Sequence, residues 1–140
     1  MRKRLLVTTD DFGMCHAVNA GTLRALREGI AASSNFMVPC PWFSEALSMA
    51  QTHALPIGVH LCLTNEWDHL RWGPLTRAPG LTDELGFFHP TFEPLLERAT
   101  DGEIVAVQLV AHGELARAAA LDPPGLLVEL GDAARLAVVA

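Results

Sequence analysis

Apolar and polar positions along the first half of the chain follow two rhythms in turn. Arg4 to Thr9 is a short apolar and β-branched run that suits a buried strand, whereas from Cys15 to Glu28 the apolar residues Val18, Leu23 and Leu26 recur at helical spacing. Gly29 stands where such a helix would stop. Ala32 to Val38 (ASSNFMV) then reads as a second strand, Pro41 to His53 as a second helix entered through a proline, and Ile57 to Thr64 (IGVHLCLT) as a third strand. Strand and helix alternating in this way predict the α/β class: a parallel sheet with crossover helices, either open and doubly wound or closed as a (β/α) barrel.

After the third strand the rhythm lapses. Asn65 to Gly80 (NEWDHLRWGPLTRAPG) is long and irregular and holds two tryptophans; long loops that follow strands of α/β proteins commonly bind ligands. Packing and ligand stacking remain equal readings for Trp67 and Trp72. Thr100-Asp101-Gly102-Glu103 has the form of a capping box and predicts a helix reaching to about Ala120, stopped by Pro123-Pro124-Gly125. No repeat and no linker divides the chain, so residues 1–140 read as one domain.

Composition agrees with a cored globular domain. Of 140 residues, 50% are hydrophobic and only 19% charged, and a chain of this size buries roughly 68–70% of its unfolded surface. The net charge is −6 and Lys3 is the sole lysine, which leaves no basic stripe for nucleic acid. Cys15, Cys40 and Cys62 are odd in number and share no C-x-x-C spacing, so they read as small buried hydrophobes in a reducing compartment. The apolar run at the amino terminus ends at Val7, short of the ~7–15 residues of an export signal, and no window offers ~18 apolar residues for a membrane span. A soluble cytoplasmic protein with no membrane partner is the expectation.

The stretch TTDDFGM, Thr8 to Met14, concentrates the candidate chemistry. Its DFG string does not mark a protein kinase, because only nine residues precede Asp10 and the glycine-rich loop, strand lysine and catalytic loop have nowhere to stand. A single glycine, Gly13, between Asp10 and Ala20 cannot make a phosphate cradle. A receiver domain also places an acidic pair after its first strand, but it requires a phospho-accepting Asp at the end of the third strand and a late lysine. The third strand here carries His60 instead.

In a parallel sheet the carboxyl ends of the strands share one edge, so Asp11 and His60 can converge there as a partial site for zinc or another divalent cation. Neighbouring side chains on an extended chain point apart, which leaves Asp10 free to act as a base. Each feature also has an ordinary structural reading, as a core histidine and as a turn or cap.

Four spaced motifs break that tie: Asp-Asp-Phe-Gly after the first strand, Asn-x-Gly in the first helix (Asn19, Gly21), the turn Gly29 to Ser33, and Gly-x-His-Leu-x-Leu-Thr from Gly58 to Thr64. Together they resemble the amino-terminal half of the YdjC-like carbohydrate deacetylases, the ChbG/HpnK group, from about Leu5 to about Gln108. The resemblance implies a deformed (β/α) barrel, here its first half, that removes N-acetyl groups from amino sugars or chitooligosaccharide-like carbohydrates with a divalent metal, Mg or Zn. It further implies Asp11 and His60 as metal ligands, Asp10 as general base, and Trp67, His69 and Trp72 as lining of the sugar cleft.

The chain also departs from that pattern. Family members take a third metal ligand from an Asp-Ser-His motif on a later strand; at the corresponding place this chain reads LDPPGLLVELGDAARLAVVA, with no histidine after His112. Residues 109–140 read as a divergent tail with the look of a shifted reading frame. An active deacetylase, an inactive remnant and a non-enzymatic metal- or sugar-binding α/β domain therefore all remain open from the sequence. A half barrel with uncovered sheet edges also leads us to expect a homodimer.

Overall fold

The computed structural model describes residues 3–119. Three strands, β1 (Thr8–Phe12), β2 (Ser33–Phe36) and β3 (Ile57–Val59), form a parallel sheet in the order β1-β2-β3. Helix α1 (His16–Glu28) connects the first pair and α2 (Phe43–His53) the second; α3 (Glu93–Arg98) and α4 (Asp101–Ala119) follow the long loop. This is the expected α/β architecture. Among the described residues no helix is long and apolar enough to cross a membrane.

The strands are shorter than the apolar pattern suggests, and β1 is displaced. Pairing of β1 with β2 begins at Thr8 opposite Ser33, so Leu5, 87% exposed, and Leu6 lie outside the sheet although they head the apolar run. Ladder partners, which local hydrophobicity cannot specify, set the boundary. Strand β3 stops after Val59, not at Thr64; the His60 N–H still donates to Phe36 O at 2.9 Å, the last bond of the ladder.

Helix α1 ends at Gly29, whose N–H donates to Ala25 O. Its φ of −100° is not left-handed; a Cβ there would sit 2.7 Å from Ala25 O, and close approach is what calls for glycine. The capping box ahead of α4 forms: Glu103 N–H donates to Thr100 Oγ1 at 3.3 Å, and Thr100 N–H donates to Glu103 Oε2 at 2.9 Å. Glu103 also accepts the Gly80 N–H at 2.8 Å, tying the long loop to the start of α4. The helix reaches Ala119. The proline stop and the tail from residue 120 lie outside the described residues.

Among the described residues, two apolar cores result. Phe12, Phe36, Ile57 and Val59 of the sheet pack with Ala46 and Ala50 of α2 and Ala111 of α4. The Phe12 and Phe36 rings stack at 5.2 Å between centroids, and Phe43 meets Phe36 edge-on at 5.3 Å. The second core, containing Met14, Met37, Trp72, Leu81, Phe88 and Leu95, lies under the long loop and holds it to the carboxyl edge of the sheet. Helix α3, which carries Leu95, has too short an apolar repeat to stand out in the sequence.

Candidate active site

β1 does not end as a regular strand. Its register slips between Thr9 and Phe12, and Asp11 adopts a left-handed φ of 62°. A non-glycine residue in that region is uncommon, with Asp among the types that enter it most readily. Next, Gly13 has φ 113°, and a Cβ on it would meet Met37 O at 3.1 Å and Phe43 Cα at 3.3 Å. The turn closes through Met14 N–H donating to Asp11 O at 3.0 Å.

His60 follows β3 directly, and β1 and β3 flank β2, so at strand spacings of ~4.8 Å their backbones stand roughly 10 Å apart. The two side chains span that gap beyond the end of β2. Asp11 Oδ1 and His60 Nδ1 lie 3.6 Å apart, close enough for charge attraction and too far for a hydrogen bond. His60 Nδ1 is buried without a hydrogen-bond partner. Burial raises the Asp11 pKa above the ordinary 3.8; His60 opposes the rise, and the neighbouring Asp10 and Glu66 carboxylates add to it.

These two atoms suit a divalent cation. Ligands ~2.0–2.2 Å from one ion stand about this far apart at a tetrahedral angle, and an unpartnered buried imidazole nitrogen is a donor set for such a contact. Among the described residues no group of three or more His, Cys, Asp and Glu side chains could hold a metal. His112 falls in α4, and its side chain lies outside the described residues.

The pair opens into a cleft of about 210 Å³ whose lining includes Asp11, His60, Glu66, Trp67, Trp72 and Phe92. Trp67, 54% exposed, stands at its rim, while Trp72, 4% exposed, forms wall and core at once. Trp72 thus packs in the core, whereas Trp67 keeps its indole exposed at the cleft. His69 is exposed and is not among the lining residues; Asp10 is also exposed and adjoins the cleft only through Asp11. Glu66 was missed by sequence reasoning. Its signal in the sequence is a carboxylate between the third strand and Trp67, within the long loop.

Cys62, in the cleft lining, and Cys40, in the core beside it, are buried free thiols. Burial, reinforced by Asp11, pushes Cys40 up to about 12, and burial raises Cys62 as well, so both stay protonated and serve as apolar filling.

Comparison with known proteins agrees with the α/β fold. The sequence profile of the YdjC-like protein family matches residues 4–120, a span that takes in α4. The chain is 39% identical over 88 residues to a chitooligosaccharide deacetylase of Yersinia enterocolitica and 40% identical over 88 residues to one of Yersinia pestis; each alignment covers 61% of this chain and 32% of the relative. Among solved structures, a candidate cellobiose-phosphate cleavage protein of Enterococcus faecalis superposes with a TM-score of 0.71 at 28% identity, covering 92% of this chain and 49% of that one. The chain thus spans about a third of the length of the Yersinia proteins and about half of the Enterococcus protein.

Proposed function

Because the chain belongs to the YdjC-like family, we propose that it acts as a metal-dependent hydrolase that removes N-acetyl groups from amino sugars of the chitooligosaccharide kind. The observation that supports this reading most is the Asp11–His60 pair, 3.6 Å apart at the mouth of a cleft with a tryptophan rim. The names of the Yersinia relatives supply the substrate class.

Trp67 offers an exposed indole face on which a sugar ring can stack, and Trp72 fixes the depth of the cleft. Asp11 and His60 would hold a Mg or Zn ion, which when bound supplies Lewis-acid polarisation of the acetamide carbonyl and a water of lowered pKa. Asp10 takes a proton from the attacking water as its oxygen adds to the carbonyl carbon. The C–N bond then breaks as the proton taken by Asp10 passes to the nitrogen, and acetate and a free amine leave.

The test is acetate release from N-acetylglucosamine oligomers with added Mg or Zn, expected for the wild type and absent in Asp11→Ala. A second reading, a domain that binds metal and sugar without turnover, is favoured by the two-donor set among the described residues. Oligomer binding with no acetate released would select it.

A further inference from the structure

The left-handed backbone of Asp11 needs something to hold it, since such a conformation in a non-glycine residue persists only where its surroundings over-determine it. Asn19 of α1, two turns of chain away, is fully buried. Its Oδ1 accepts the Gly13 N–H at 2.7 Å, and its Nδ2 donates to Trp42 O at 3.1 Å and to Glu45 Oε2 at 2.8 Å. The Gly13 carbonyl in turn accepts the Trp42 N–H at 3.0 Å, and Phe12 O accepts the Met37 N–H at 2.8 Å. One amide therefore joins the turn after β1 to α1 and to the start of α2. Glu45 is itself anchored by His16 Nδ1 at 2.8 Å.

We infer that Asn19 is the positioning residue of the site: by fixing Gly13 it keeps Asp11 left-handed and its carboxylate facing His60. The effect on ion binding rests on the reading given under Proposed function; the effect on the Asp11 backbone does not. An amide is required because it accepts from Gly13 and donates to Trp42 and Glu45 at once. A carboxylate can do only the first and would repel Glu45. An alanine leaves the Gly13 N–H unpaired in the core and removes one of the two donors to the Trp42 carbonyl, which also accepts the Ala46 N–H.

The experiment compares Asn19→Ala, Asn19→Asp and the double variant Asn19→Asp with Glu45→Gln, which exchanges donor and acceptor across that contact. Thr22→Val, at another buried polar position of α1, serves as the control for a purely structural loss. Three properties are read: the NMR backbone shifts of Asp11, hydrogen-exchange protection of the Gly13 amide, and calorimetric Zn affinity. In Asn19→Ala and Asn19→Asp we expect Asp11 shifts outside the left-handed range, Gly13 protection reduced at least tenfold, and Zn affinity reduced about tenfold or more. The double variant should recover part of each, and Thr22→Val should lower stability while leaving all three in place. Unchanged Asp11 shifts and Gly13 protection in a folded Asn19→Ala protein would overturn the inference, as would losses in Thr22→Val equal to those in Asn19→Ala. If wild type binds no Zn, the metal reading fails and the two NMR measurements decide the role of Asn19.

Discussion

Asp11 Oδ1 faces His60 Nδ1 at 3.6 Å, although the two residues leave the sheet from strands that are not hydrogen-bonded neighbours. The contact depends on a left-handed residue one position before the end of β1 and on β3 ending one residue before the histidine. β2 lies between the two strands and pairs with both.

That geometry separates the roles of the acidic pair. Asp11→Ala and His60→Ala should each lower Zn or Mg affinity at least tenfold, whereas Asp10→Asn, altering an exposed carboxylate outside the cleft lining, should change affinity less than threefold and remove acetate release. Calorimetric titration checks the first part and an acetate assay the second. Equal loss of affinity in Asp10→Asn and Asp11→Ala would contradict the assignment.

The two tryptophans should respond in opposite ways. Trp72→Ala removes a side chain that is 4% exposed in the core and should cost about 3–5 kcal/mol of stability. Trp67→Ala, at a position 54% exposed, should leave the melting temperature nearly unchanged and weaken oligosaccharide binding about tenfold. Thermal melts and fluorescence titration with N-acetylglucosamine oligomers measure the pair. A Trp67→Ala protein that binds sugar normally would remove the indole from the cleft's function.

Asp11 also gives the protein a pH signature. Burial raises its pKa above 3.8, so between 3.8 and the higher folded value the native protein holds a proton that the unfolded chain has lost. Stability from this group is therefore greatest in acid and declines as pH rises through that window. Asn accepts left-handed backbone readily and does not titrate. Metal-free Asp11→Asn should gain on wild type as pH is raised from below 3.8 to neutrality. Urea unfolding across that range tests the slope, and a wild type that gains on the variant instead would refute it.

At the entrance to α4, Thr100→Ala should cost about 1 kcal/mol, the usual worth of an N-cap hydroxyl. Glu103 behaves in the opposite sense to Asp11: bonds from the Gly80 and Thr100 N–H groups and the Thr100 hydroxyl hold it below the ordinary 4.5. Its contribution is present above 4.5 and is lost as pH falls through the folded value. Glu103→Gln should accordingly destabilise at neutral pH, with the difference from wild type shrinking in acid. A pH-independent difference would show that the charge on Glu103 is not what closes the cap.

What depends on neighbours along the chain is legible in the amino-acid pattern alone. Alternating periodicity was enough for β1-α1-β2-α2-β3, because side-chain spacing along a helix or strand is a local property. The capping box at Thr100 and Glu103 was equally legible, since its partners lie three residues apart. Asp11 and His60 stand out because parallel strands put all their carboxyl ends on one edge of the sheet. Strand limits were less legible: the exposed Leu5 and Leu6 look more strand-like than Asp10 and Asp11, and only pairing with β2 excludes them. Nothing local distinguishes Trp67 at the rim from Trp72 in the core, or marks Asn19 as the amide that clamps Gly13 and Glu45. Those are decided by contacts between residues distant in sequence, where the folded sheet and the loop packed on its edge fix which polar atoms must find partners away from water.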